Sequence, residues 1–75
     1  MITIHSACFT AQIGKTHKRW HIFNGAGEFK ATFNIYSGLI HMNGASTEWT
    51  QNEVNDFPIL LNVMKNETAK IKKPS

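Results

Sequence analysis

The chain is poor in the residues that announce chemistry. It holds a single cysteine, Cys8, so no disulfide can close within it. That suits a reducing compartment. No cysteine pair and no His-Glu-x-x-His pattern occurs, and the four histidines His5, His17, His21 and His41 are scattered. His17 and His21 are four apart, a metal-binding pair only on a helix, and that stretch reads as loop into strand. No metal and no cofactor is expected. The acids Glu28, Glu48, Glu53, Asp56 and Glu67 are few and separated. A phosphate-cradling glycine loop is missing, because Gly25 and Gly27 fall within a hairpin turn. Cys8 with a histidine would need a third group and an oxyanion site, and the sequence places neither. The expected role of Cys8 is that of a small, half-buried strand residue. The chain therefore reads as a non-enzyme.

Long apolar runs are also lacking. None approaches the roughly 18 residues of a membrane span, and the chain does not open on a basic stretch followed by an apolar one. A soluble, cytoplasmic protein is the expectation, with no membrane partner. Net charge is +3, but its placement says more than its size. Up to Met64, Lys15, Lys18, Arg19 and Lys30 cancel Glu28, Glu48, Glu53 and Asp56. The surplus lies in Lys65, Lys70, Lys72 and Lys73, opposed by Glu67. A polyanion binder more often carries its charge on the folded face.

What the chain does have is alternation. Glu28 to Tyr36 alternates apolar and polar residues, the period of a strand with one buried face. Phe29, Ala31, Phe33 and Ile35 fall on one side; Glu28, Lys30, Thr32, Asn34 and Tyr36 fall on the other. Ser37-Gly38 offers a two-residue turn, and Leu39-Ile40-His41-Met42 returns. That turn pairs Tyr36 with Leu39, Ile35 with Ile40, Asn34 with His41 and Phe33 with Met42. Upstream, Arg19 to Phe23 forms a strand and Asn24-Gly25-Ala26-Gly27 a turn. This pairs Phe23 with Glu28, Ile22 with Phe29, His21 with Lys30 and Trp20 with Ala31. Both turns then agree on one apolar face. In Met1 to Ile13 the apolar parity switches near Ser6, which either a β-bulge or two short strands would explain.

Thr50-Gln51-Asn52-Glu53 has the spacing of a capping box. Val54, Phe57, Leu61 and Met64 follow at helix spacing, and this stripe is expected to bury against Trp20, Ile22, Phe29, Ala31, Phe33, Ile35, Ile40 and Met42 of the sheet. Pro58 fits if Asp56 caps the main helix after a short turn at 51–55. The helix is expected to end near Lys65. The predicted fold is α+β: a four-stranded antiparallel β-meander with one C-terminal α-helix packed on one face, ββββα. Residues 1–65 form the single domain and residues 66–75 a flexible basic C-terminal tail.

The helix covers one side of the sheet. The other, open side is the candidate partner-binding surface, carrying Arg19, His21, Phe23, Lys30, Asn34, Tyr36, Leu39 and His41. Aromatic and cationic residues mixed in this way suit a protein interface. They also suit the stacking of unpaired bases. The basic stretch Thr16 to His21 reads best as a solvated loop entering a strand.

The layout from Arg19 to Lys65, with its Thr50-x-x-Glu53 helix start, resembles the small single-stranded nucleic-acid-binding coactivator fold. That family's basic and glycine motif has no residue-by-residue counterpart, so no residue role is carried over. The expected function is a small non-catalytic protein-binding module. A phage- or mobile-element-type regulator or inhibitor would suit such a chain, acting by occlusion of a partner or by homodimerisation through the open face. The alternative is a single-stranded nucleic-acid binder using that face and the Lys-rich tail.

Overall fold

The structure is a computed structural model that describes residues 1–14 and 18–72. Lys15, Thr16 and His17 lie outside the described residues, and with them the His17–His21 pair, the middle of the basic loop and residues 73–75. The fold is α+β, with five antiparallel strands in one sheet and a C-terminal helix. The strands are β1 (Ile2–His5), β2 (Phe9–Ile13), β3 (Arg19–Asn24), β4 (Phe29–Asn34) and β5 (Ile40–Met42), in that spatial order. The helix α1 spans Gln51–Lys72.

The fifth strand comes from the N-terminal segment. The parity switch at Ser6 is a strand break: β1 and β2 form a hairpin pairing Ile2 with Ile13 and His5 with Thr10. Its turn has no glycine or proline. It is held by α1, because Asp56 Oδ2 accepts from the Ser6 hydroxyl and from the Cys8 N–H at 2.9 Å. Asp56 is thus no N-cap. It lies inside a single continuous helix and is buried. The capping box is present: Glu53 N–H donates to Thr50 Oγ1 at 3.1 Å, and Thr50 N–H to Glu53 Oε1 at 2.9 Å. Pro58 sits within the helix with no N–H for the Val54 carbonyl. Val54 and Pro58 face water, which can take up that carbonyl.

The core joins Phe9, Ala11, Ile13, Trp20, Ile22, Ala31, Phe33 and Ile35 of the sheet side to Leu60 and Met64 of α1. Val54, expected inside, is 50 % exposed. The inward stripe of the first turns uses Glu53 and Asp56 instead, each committed to hydrogen bonds. The helix lies over β1 and β2. Ile40 and Met42 on β5 therefore keep 39 % and 46 % exposure, although they were expected in the core.

The helix does not stop near Lys65. It continues to Lys72 through most of the expected tail. Thr68 is buried and accepts from the Trp20 indole N–H at 3.0 Å, and Ile71 packs on the core.

Both hairpins differ in register from the expectation. At the second, Phe33 pairs with Ile40, Thr32 with His41 and Ala31 with Met42. Asn34 ends β4, and its Oδ1 accepts from the N–H groups of Tyr36 and Ser37 at 2.8 and 3.0 Å. Gly38 takes φ 73°. The shift is by two residues, so every side chain keeps its face.

The first hairpin differs more. Asn24 Oδ1 accepts from Ala26 N–H and Glu28 N–H, Asn24 N–H donates to the Glu28 carbonyl, and Gly27 takes φ 83°. Asn24 therefore belongs to the strand, and Phe23 pairs with Phe29. A β-bulge at Lys30 then restores the parity, so that Ile22 pairs with Ala31 and Trp20 with Phe33. Trp20, Ile22, Ala31 and Phe33 stay on the core side. Phe29 and Lys30 exchange faces.

Candidate functional site

The open side of the sheet is built from cross-strand rows. One row crosses all five strands: Thr3, Gln12, His21, Thr32 and His41. The next holds His5, Thr10, Phe23 and Phe29. Arg19 and Asn34 are paired on the other side of the central row. Each side chain reaches this face through the alternation of its strand. No carboxylate occurs in these rows.

The structure brings together Arg19, His21, Phe23, Asn34 and His41 of the expected set. Tyr36 and Leu39 lie at the β4–β5 turn, 65 % and 71 % exposed. Asn34 spends its carbonyl oxygen on the turn's own N–H groups, which leaves it a largely structural role. Two shallow depressions, of about 330 and 450 Å³, flank Arg19 and Asn34. His21 lines the first and His41 the second.

Lys30 does not belong to this surface. The bulge turns it inward, where it is fully buried. Its Nζ donates to Glu28 Oε1 at 3.2 Å, Ser46 Oγ at 2.8 Å and the Glu48 carbonyl at 2.6 Å. It also lies 4.8 Å from the centroid of the Trp49 ring. Three ammonium donors thus meet three acceptors. The bulge itself is held by Asn43, whose Nδ2 donates to the Phe29 carbonyl and whose N–H donates to the Lys30 carbonyl.

Phe29 is the residue that strand alternation misplaced. On the open face its ring centroid lies 5.8 Å from Phe23 and 6.1 Å from His21, forming one aromatic cluster in which the two phenylalanines are half-buried and His21 is exposed. The only local signal was the Asn24-Gly25-Ala26-Gly27 composition, which also accommodates a shorter loop with Gly27 at positive φ.

The chain's carboxylates lie away from the open face. Glu28 is held below the ordinary carboxylate range, mainly by the Ser46 side chain and then by Lys30. Glu53 is also held low, first by the Thr50 N–H, with the Thr50 hydroxyl, the Asn24 amide and Lys30 adding to it against the cost of burial. Both groups favour the folded state when ionised. Their contribution is full above the unfolded glutamate value of about 4.3 and is lost as pH falls through the lower folded values. Urea midpoints measured from about pH 6 to about pH 3 should fall in acid, and Glu53→Gln should flatten that fall. An unchanged acid slope in Glu53→Gln would remove Glu53 from this account.

Burial, then the charges of Asp56 and Glu53, pushes the Cys8 thiol up, away from the reactive thiolate. Among the described residues no group of three or more His, Cys, Asp or Glu side chains converges to hold a metal ion. Among them, too, no helix is long and apolar enough to cross a membrane. No protein-family model matches this chain, and no curated protein or solved structure is similar enough to place it in a family.

Proposed function

We propose that the chain is a non-catalytic protein-binding module whose contact surface is the open face of the sheet. The observation that carries this reading is the Phe23–Phe29–His21 cluster on the solvent side, rimmed by hydroxyl, amide and imidazole groups. Interfaces are commonly arranged as an apolar, aromatic centre within a polar rim. Such a module acts as a regulator or inhibitor, by occluding a partner's surface or by self-association. Burial of Lys30 removes one cation from the face and leaves Arg19, with exposed Lys18 beside it. A groove that tracks a phosphate backbone needs more positive charge than this.

Single-stranded nucleic-acid binding is the second reading. It is favoured by rows that contain aromatics and Arg19 but no acid. Salt separates the two, because phosphate contacts weaken steeply as salt rises.

The test measures binding of wild type, Phe29→Ala, Tyr36→Ala and a control, Thr47→Ala, at two salt concentrations. The ligands are a partner isolated by affinity capture and single-stranded oligonucleotides. Phe29→Ala and Tyr36→Ala should each weaken partner binding by about 2 kcal/mol, as for interface aromatics elsewhere. Thr47→Ala, exposed and off this face, should not. Full-strength binding by both aromatic variants would refute the open-face assignment.

A further inference from the structure

A second surface feature is the edge of the sheet at β5, the last strand in spatial order. Its pairing with β4 fixes which of its backbone groups are spent. Asn34 N–H donates to the Leu39 carbonyl at 3.0 Å, and Asn43 N–H to the Lys30 carbonyl at 2.9 Å. Antiparallel ladders alternate hydrogen-bonded and non-bonded pairs, so the bonded pair between these two is Thr32 with His41. Ile40 and Met42 therefore turn their N–H and C=O groups outward, where no further strand lies among the described residues. Their side chains project on the helix side, in line with Phe33 and Ala31. The helix lies over β1 and β2 and leaves both of them partly exposed.

Sheet edges are commonly blunted by charge, proline, a bulge or a covering segment. No Asp, Glu, Lys, Arg or Pro occurs from Ala31 to Thr47, and β5 runs in regular register with β4. Its one safeguard is its length of three residues. The opposite edge differs, because Ile2 and Ile4 of β1 already pack against the core beneath α1.

We propose that β5 pairs antiparallel with β5 of a second copy of this chain, about a two-fold axis at His41, joining the two sheets edge to edge. The register follows from parity. An axis at His41 sets Ile40 opposite Met42 of the second copy, and Met42 opposite its Ile40. All of these residues have outward N–H and C=O groups, so both pairs are of the bonded kind, and His41 meets its own copy in a non-bonded pair. The axis is normal to the sheet, so both helices stay on one side. On that side Ile40 and Met42 of the two copies form one apolar group and cover each other. Moving the axis to Ile40 or to Met42 would set the other residue opposite Gly38 or Gly44 and lose that cover. The edge carries no charge, so a second copy approaches without repulsion. A two-fold pairing also closes on itself, whereas β5 on β1 would leave free edges and propagate. This inference goes beyond the open-face reading and does not rest on it.

The experiment is sedimentation equilibrium of the full chain, with amide hydrogen exchange at low and high concentration. A reversible dimer with a Kd on the order of 10–100 µM is expected, as for a small transient contact. The Ile40 and Met42 amides should exchange about fivefold or more slowly at about 1 mM than at about 5 µM, following the dimer population. The His41 amide, bonded to Thr32, should be protected at both. Met42→Pro removes an outward N–H that β4 does not use, a change that an edge strand tolerates. It should weaken the dimer about tenfold or more. Should that variant not fold, Met42→Lys serves, since the side chain is exposed and a lysine on the edge opposes pairing with its own copy. Ile59→Lys, at an exposed apolar residue of α1, should leave the dimer unchanged. Phe29→Ala, which tests the open face, should also leave it unchanged, so the two readings fail separately. A chain that stays monomeric to about 1 mM, a dimer without protection of the Ile40 and Met42 amides, a dimer as tight in the folded Met42 variant, or one abolished by Phe29→Ala would overturn the proposal. Protection of those amides only on addition of a foreign protein would overturn the second copy in favour of that protein's strand.

Discussion

Lys30→Glu should leave the chain unfolded at room temperature. The substitution places a carboxylate where a buried ammonium meets Glu28, Ser46 Oγ and the Glu48 carbonyl. Two of those acceptors would then face another acceptor with no donor between them. An unpaired buried charge is among the few single changes that cost more than about 4 kcal/mol. A chain of this length has on the order of 4–11 kcal/mol in total. Lys30→Met is the milder comparison. It keeps much of the apolar stem against Trp49 but removes the donor, stranding the Ser46 hydroxyl and the Glu48 carbonyl. It should cost about 1–3 kcal/mol. Circular dichroism and urea denaturation of both variants decide the matter. If Lys30→Glu melts like wild type, Lys30 faces solvent and the bulge is wrong.

Removing residues 66–75 should lower the melting temperature by more than about 10 °C. The deletion takes away Thr68, leaving the buried Trp20 indole N–H without its acceptor, and strips Ile71 from the core. An unsatisfied buried donor costs about 1–3 kcal/mol, and lost packing adds to it. In a domain of this size each kcal/mol is worth about 4–8 °C. Thr68→Val isolates the hydrogen bond, since valine matches threonine in shape without the hydroxyl. It should account for a part of the loss, about 1–3 kcal/mol. A truncated chain that melts with wild type would show that the helix end does not dock on Trp20.

Much of the fold was legible because it rests on local pattern. Alternation in β3 and β4 identified Trp20, Ile22, Ala31 and Phe33 as core residues, and the structure buries all of them. Their faces survived two errors of register because one error was a shift by two and the other was undone by the bulge. The capping box was readable because both partners lie within one turn of helix. The helix stripe was read one position off at its start. Val54 is apolar and was assigned inward, whereas Glu53 and Asp56 hold the inward positions through hydrogen bonds. Hydrophobic periodicity has no means of anticipating a buried polar group whose partner is distant.

The candidate surface was legible to the same extent. Arg19, His21, Phe23 and His41 lie where alternation along regular strands places them. Lys30 and Phe29 do not, since both follow the turn and sit at the bulge.

The amino-acid order by itself determined a small α+β chain: antiparallel strands of one apolar and one polar face, closed by a helix that starts at Thr50-x-x-Glu53. These properties arise between residues a few positions apart, where steric periodicity and capping act directly. Only the tertiary structure decided which of Phe29 and Lys30 faces water, that the N-terminal segment forms a hairpin, and that the helix runs on to Lys72. Each of these outcomes depends on a polar group finding a partner far along the chain: Lys30 with Ser46 and Glu48, Ser6 and Cys8 with Asp56, and Trp20 with Thr68. A lysine can be buried, a glycine-free turn held and a helix end docked only where the folded chain supplies the matching donor or acceptor.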